Sequence, residues 1–428
     1  VRRATGVRPT AGDVVRQRRA RGDHVPTWTV RRPRKRASGL LWTARVGVAL
    51  ASCVAVTATG LVWAETADLA DGFTTSSALG VDAPHSSGGA ENILLMGLDT
   101  RKDQNGQDLP ADILQQLHAG DSSDGGYNTN TMILVHVPAD RKNIVAFSIP
   151  RDDYVKMDGL DVTDAKIKEA YGRRKAQTET DLQNEGVTDP HQLETKGREA
   201  GRAQTIRTVR ELTGVPIDRF AEVSLVGFYD LAKALGGVTV CLKHSVSDSY
   251  SGARFAAGVH TLNAKQSLAF VRQRHGLDNG DLDRTHRQQA FMLSVLHELR
   301  DAGTFTDLDK VNALVDAAQR DVVLSDGWNL VDWMQEMGTV DGQKITFTTL
   351  PVVRYDTVNG QDVNIVDPEA IRTRVQRAFG MKPHAAAPTA SAATTTTDAT
   401  TESGASVDAP APDSGTAVSN SDGVPCVN

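Results

Sequence analysis

At 428 residues the chain is long enough for one large or two ordinary domains, and its charged share of 23% is average. The net charge of −6 averages two opposite parts: residues 1–45 hold 13 Lys and Arg against Asp13 and Asp23, a net of +11 that leaves −17 on the rest. The three cysteines, Cys53, Cys241 and Cys426, have no metal-ligand spacing, which excludes an ordinary zinc site.

The basic arm, residues 1–45, shows no helix-turn-helix pattern. A disordered arm facing anionic lipid accounts for its charge, and no nucleic-acid partner is expected. Val46–Ala64 follows, 19 residues without a charge, close to the ~20 needed to cross a bilayer. The basic side should stay in the cytoplasm and the remainder be exported. A cleaved signal peptide is the competing reading. The long leading region and the bulky end Leu61-Val62-Trp63 favour an uncleaved, single-pass anchor in the cell membrane. Residues 65–89 read as a stalk, and the folded domain is expected over 90–380. The Ala/Thr/Ser-rich tail, 381–428, buries too little apolar surface to offset ordering entropy and is expected to be disordered. Outside the membrane, Cys241 and Cys426 invite a disulfide that would tie this tail to the fold.

Within the folded part, 92–99, 131–137 and 143–150 read as strands, the last two joined by a hairpin at 138–142. Residues 193–213 form a long helix entering a Gly-Val-Pro stop. Residues 219–242 read strand, helix, Gly-Gly stop, strand. Helices follow over 264–272, from about 283, and over roughly 307–320 and 328–337, before a last strand from Lys344. The pattern implies one α/β domain with a mixed central sheet flanked by helices.

The stretch FVRQRHGLDNGDLDRTHRQQAF, 270–291, concentrates four Arg, three Asp and two His in 22 positions. The helix it enters has an apolar face of Phe291, Met292, Val295, Leu296 and Leu299. Projected back one and two turns, that face passes through Gln288, Arg287 and Arg284. Guanidiniums on a buried stripe are costly unless they meet anions, either internal carboxylates or a ligand phosphate. Polar residues also gather at three strand ends: Asp99 and Arg101; Arg151, Asp152 and Asp153; Asn128 and Asn130. Crevices outside strand ends are where open α/β sheets bind ligands.

In order, NILLMGLDTR, NTNTMILVHV, FSIPRDDYV, KIKEAYG, FYDLAKALGGV, LAFVRQRH and DLDRTHRQQ resemble the motif series of the LytR-CpsA-Psr family, over about residues 90–355. The resemblance implies a membrane-anchored enzyme of the Gram-positive envelope, of actinobacterial type. Such an enzyme transfers a glycopolymer from a polyprenyl-pyrophosphate carrier to peptidoglycan through a phosphodiester bond, with Mg2+ or Mn2+. By position, Arg151, Arg272, Arg274, Arg284 and Arg287 match the arginines around the lipid pyrophosphate, joined by Arg101, Lys166 and Gln288. Asp99 matches the metal-site aspartate, and Asp99, Asp281 and Arg287 form the implied catalytic set. Many members read Arg-Ser-Asp-Thr where this chain has Asn128-Thr129-Asn130-Thr131, so Asn130 replaces a metal-binding carboxylate, with Asp108 as a candidate substitute. The stripe Phe291/Val295/Leu299 and the helix 225–235 would line a prenyl tunnel; read without the resemblance, they are ordinary core. His275 and His286 are read as structural. Two other functions use the same residues: hydrolysis of the lipid pyrophosphate, and a non-catalytic envelope sensor or transcriptional regulator.

Overall fold

The hairpin expected at 138–142 lies in the middle of a mixed sheet. The computed structural model describes residues 72–121, 126–301, 308–338, 340, 342–381, 418–419 and 424–428. Eight strands build the sheet: β1 (Thr74–Ser76), β2 (Glu91–Asp99), β3 (Asn128–Val137), β4 (Asn143–Ser148), β5 (Arg219–Ser224), β6 (Val322–Ser325), β7 (Lys344–Thr349) and β8 (Val418–Ser419). Their spatial order is β1-β6-β5-β2-β3-β4-β7-β8. β2 runs antiparallel to β3 and parallel to β5, and β3 antiparallel to β4. The helices are α1 (Ala111–Leu117), α2 (Ala170–Asn184), α3 (Pro190–Thr213), α4 (Leu225–Leu235), α5 (Ala264–Arg272), α6 (Asp281–Asp301), α7 (Leu308–Asp321), α8 (Leu330–Gly338) and α9 (Pro368–Ala378).

Both faces of the sheet are covered, which is why its inner strands read as continuous apolar runs. Alternate residues of β2 split between the faces. Leu94 and Met96 pack with Ile206, Val209 and Leu212 of α3 and with Ile371 and Val375 of α9. Ile93 packs on the other face beside Leu324 and Trp328, where Ile133 and Ala146 also meet Leu293 of α6. The long helix starts as its sequence directs. Asp189 caps it by accepting from His191 N at 3.1 Å, Pro190 opens it, and Gly214 ends it at φ 67°.

The expected strands and helices fall where the pattern placed them, with α2 and α9 added; the strand from Lys344 is not the last, since Arg354–Val358 and Gln361–Ile365 follow it as an antiparallel pair. The stalk expected over 65–89 is corrected: from residue 72 on it belongs to the fold. β1 pairs with β6, and Ser86 donates through N and Oγ to Asp218 at 2.7 and 2.6 Å. Three polar residues, Thr74-Thr75-Ser76, are too short to show a period and hide this strand from the sequence. The basic arm, the span Val46–Ala64 and residues 382–417 lie outside the described residues. Among the described residues no helix is long and apolar enough to cross a membrane.

Cys241 and Cys426 form a disulfide. It carries Cys426–Val427 alongside Val238–Leu242 as a parallel strand, and Lys243 N donates to Val427 O at 2.8 Å. Because the bridge closes a separation of 185 residues, Cys426→Ser is expected to destabilise the domain by about 2–4 kcal/mol. Chemical denaturation with and without reductant checks this; an unchanged midpoint would refute it.

Candidate active site

A cavity of about 550 Å³ opens where β2 and β5 end. α6 supplies both of its ends from one face, because Arg284, Gln288, Phe291 and Val295 follow each other at three- and four-residue steps. The charged residues come first, so the cavity is polar near the start of α6 and apolar further along. The polar end holds Asp99, Asn130, Arg151, Arg272, Arg274, Arg284 and Gln288. The apolar end holds Leu95, Ile133, Phe228, Leu231, Met292 and Val295.

Each polar residue is placed by its element. Arg272 closes α5, whose start is fixed by a capping box between Asn263 and Gln266. Its Nη1 donates to the carbonyls of Leu117 and His118, past the end of α1, at 2.9 and 3.1 Å. The register of β2 on β3 shifts between Gly97 and Leu98, which sets Asp99 opposite Asn128. Gly97 is needed there, since a Cβ would stand 2.9 Å from Thr131 Cβ. Thr131 Oγ1 in turn accepts from Gln288 Nε2 at 3.0 Å.

Asn130 joins two of these groups. Its Nδ2 donates to Asp99 Oδ2 at 2.8 Å and its Oδ1 accepts from Arg151 Nη1 at 2.9 Å. An ionised carboxylate only accepts and a guanidinium only donates, which fixes the amide's orientation. Arg101 pairs with the other Asp99 oxygen and donates through Nε to Ala119 O at 3.0 Å.

The cationic charge at the polar end exceeds what its acids cover. Asp281 lies 3.0 Å from Arg151 Nε and 2.9 Å from Arg284 Nη2, so one carboxylate is divided between two guanidiniums. The Arg151 contact lacks hydrogen-bond geometry, and the buried Nε of both arginines has no acceptor among the described residues. Burial, with Arg151 beside it, pushes the Arg284 guanidinium down to about 10. Arg272 is lowered by burial as well, against the opposing pull of Asp99. On α3 the balance differs. Arg202 is also buried, yet Glu222 meets it with both oxygens, at 2.9 and 3.0 Å, and holds it above its ordinary value.

Other expected site residues stand outside the cavity wall. Arg287 is fully buried beneath it. Its Nη1 donates to Gln273 Oε1 at 2.7 Å, its Nε donates to the backbone oxygen of Asn428, and its guanidinium lies 5.0 Å from the Phe270 ring centroid. Lys166 and Lys168 gather on Asp152, at 3.5 and 2.6 Å. Asp108 pairs with Lys102 at the surface, 2.8 Å away, and cannot serve as the substitute metal carboxylate. Leu299 does not reach the wall. His286 faces Asp283 at 3.9 Å, whereas His275 lines the cavity. Asp248, Tyr250 and Ser251, not among the expected site residues, also line it, from a short turn whose composition signals only a turn.

The LytR_cpsA_psr family model matches residues 63–378, and the chain belongs to that family. Cell wall biosynthesis protein LcpA of Corynebacterium glutamicum is 39% identical over 303 residues, which cover 70% of this chain and 58% of that protein. The chain thus spans little more than half of that relative's length. The polyisoprenyl-teichoic acid–peptidoglycan teichoic acid transferase TagU of Oceanobacillus iheyensis is 28% identical, over 66% of this chain and 73% of its own length. Protein gbs0355 of Streptococcus agalactiae shares the fold: its crystal structure aligns at TM-score 0.51 and 20% identity over 69% of this chain and 90% of that one.

Removing the shared anion should expose the excess charge directly. Asp281→Asn is expected to cost about 3 kcal/mol of stability, and inorganic pyrophosphate should restore part of it. Thermal melts of both proteins with and without pyrophosphate test this; equal midpoints for the two unliganded proteins would contradict it.

Proposed function

We propose that the protein transfers a glycopolymer from a polyprenyl-pyrophosphate carrier to peptidoglycan, working outside the cell membrane from a single-pass N-terminal anchor. The observation that carries this reading is one cavity joining an under-neutralised arginine cluster to an apolar channel. A diphosphate bearing a prenyl chain has the same two-part chemistry. The names of the Corynebacterium and Oceanobacillus relatives support it.

Phosphoryl transfer needs positioning and charge neutralisation more than covalent help from the protein. Arg151, Arg272, Arg274 and Arg284 would hold the two phosphates. A peptidoglycan sugar hydroxyl attacks the phosphorus that carries the glycan, the bond to the bridging oxygen breaks, and polyprenyl phosphate leaves. Asp99 borders the polar end of the cavity, as Asp281 does not, so Asp99 is placed to accept or orient the hydroxyl proton.

Among the described residues no three His, Cys, Asp or Glu gather as a metal cage. Yet Mg2+ is commonly held by one or two carboxylates completed by substrate phosphates and water. Asp99, with the second lone pair of Asn130 Oδ1, fits that pattern. A Mg2+ or Mn2+ held there would supply charge against the leaving phosphate.

Protein extracted in mild detergent should carry a polyprenyl phosphate or pyrophosphate detectable by mass spectrometry, and Arg284→Ala should reduce its occupancy about tenfold. A wild-type protein free of prenyl phosphates would count against the proposal. Release of glycan phosphate to water without transfer would point to a hydrolase. Asn130→Asp adds a second carboxylate and should tighten Mn2+ binding about tenfold, read by calorimetry independently of turnover. Unchanged affinity would remove residue 130 from the metal site.

A further inference from the structure

The arginine cluster and the apolar channel leave unused an aromatic pair at the rim of the cavity. Tyr250 lines the cavity yet is 73% exposed. Its ring packs against the imidazole of His275, which lines the same cavity, with centroids 4.3 Å apart and planes tilted by 35°. Arg274, adjacent to His275 in the chain, is also exposed and borders the cavity.

The exposure of Tyr250 does not reflect a loose turn. Asp248, buried below it, accepts from Tyr250 N at 2.9 Å and from Ser251 Oγ at 2.7 Å. Ser251 Oγ accepts from Ala253 N at 3.3 Å. His118 Nε2 donates to Ser249 O at 2.8 Å, and the His118 carbonyl is one of the two that receive Arg272. The turn, the end of α1 and a cavity arginine therefore form one hydrogen-bonded assembly. A flat aromatic face fixed in water beside a binding cavity is an unfilled contact.

The neighbours identify what would fill it. The channel takes the prenyl chain and the arginines take the diphosphate, so the next atoms outward belong to the sugar esterified to that diphosphate. A pyranose presents a face of C–H groups, which suits an aromatic ring. We propose that Tyr250, backed by His275, is the subsite for the pyranose ring attached to the carrier diphosphate. It would thereby set which lipid-linked glycans the enzyme accepts. This assignment rests on the transferase reading.

The test measures binding of two probes to the full-length protein in detergent: geranylgeranyl pyrophosphate, and the same lipid carrying one N-acetylglucosamine on its diphosphate. Tyr250→Ala should weaken the sugar-bearing lipid about tenfold and leave the bare lipid unchanged. Tyr250→Trp should bind both like the wild type. Equal losses for both probes, no loss for either, or a loss confined to the KM of a peptidoglycan acceptor would overturn the donor subsite while leaving the transferase reading standing. If the wild type binds neither lipid, both fall.

Discussion

The division of Asp281 between Arg151 and Arg284 is the constraint on which the site depends. A buried guanidinium is tolerated when a carboxylate meets it fully, as Glu222 meets Arg202 with both oxygens. At the cavity Arg284 receives half an acid, leaves its Nε without a hydrogen bond and has further arginines for neighbours, while Arg151 shares Asp281 with it and, at 3.5 Å, Asp152 with two lysines. Each unmet buried donor costs about 1–3 kcal/mol. A fold retains such a cost where a ligand anion relieves it, and the excess of cations over acids selects a multiply charged one.

The sheet makes this arrangement possible by bringing distant parts of the chain to one edge. Asp99 closes β2, Arg151 follows β4, and Asn130 stands near the start of β3, which runs antiparallel to both. Helix α6 then crosses this edge with its first turns. Its later turns pass over apolar residues of the sheet and face α4, so a cavity with a charged head and an apolar body follows from a single amphipathic face. α4 is held by Ser224 Oγ accepting from Gly227 N at 3.2 Å. Gly227 itself admits Asp321 so closely that a Cβ would stand 2.8 Å from it, which lets α7 support α4 from behind.

Much of this was legible because it is periodic. The 3.6-residue spacing along α6 placed Arg284 and Gln288 on the buried stripe, and alternation with Gly and Pro punctuation placed β2, β3, β4 and α3. Arg287 shares that phase and lies on the stripe, but one position round from the cavity. Gln273 and Asn428, neither predictable from spacing, decide its surroundings. Lys166 follows the same logic: it lies near the site in the chain, but Asp152 draws it away. The rim turn at 248–252 left no signal beyond turn-forming residues, because what distinguishes Tyr250 is its position over a cavity built by other segments. β1 was invisible for the converse reason, being three residues whose strand character comes wholly from β6.

Asn130 shows how a single neutral side chain sets the charge balance of the whole site. A carboxylate in its place would face Arg151 with a second anion and Asp99 with a like charge. It would cover some of the excess that Asp281 leaves, while strengthening the negative donor set around Asp99. The amide does the reverse. It connects Asp99 and Arg151 by hydrogen bonds without neutralising either. Arg151 keeps its full charge, and under the proposed function a cation beside Asp99 would draw more of its neutralisation from the substrate phosphates. On the proposed function, metal and diphosphate would bind interdependently, since each would supply the charge that the other lacks.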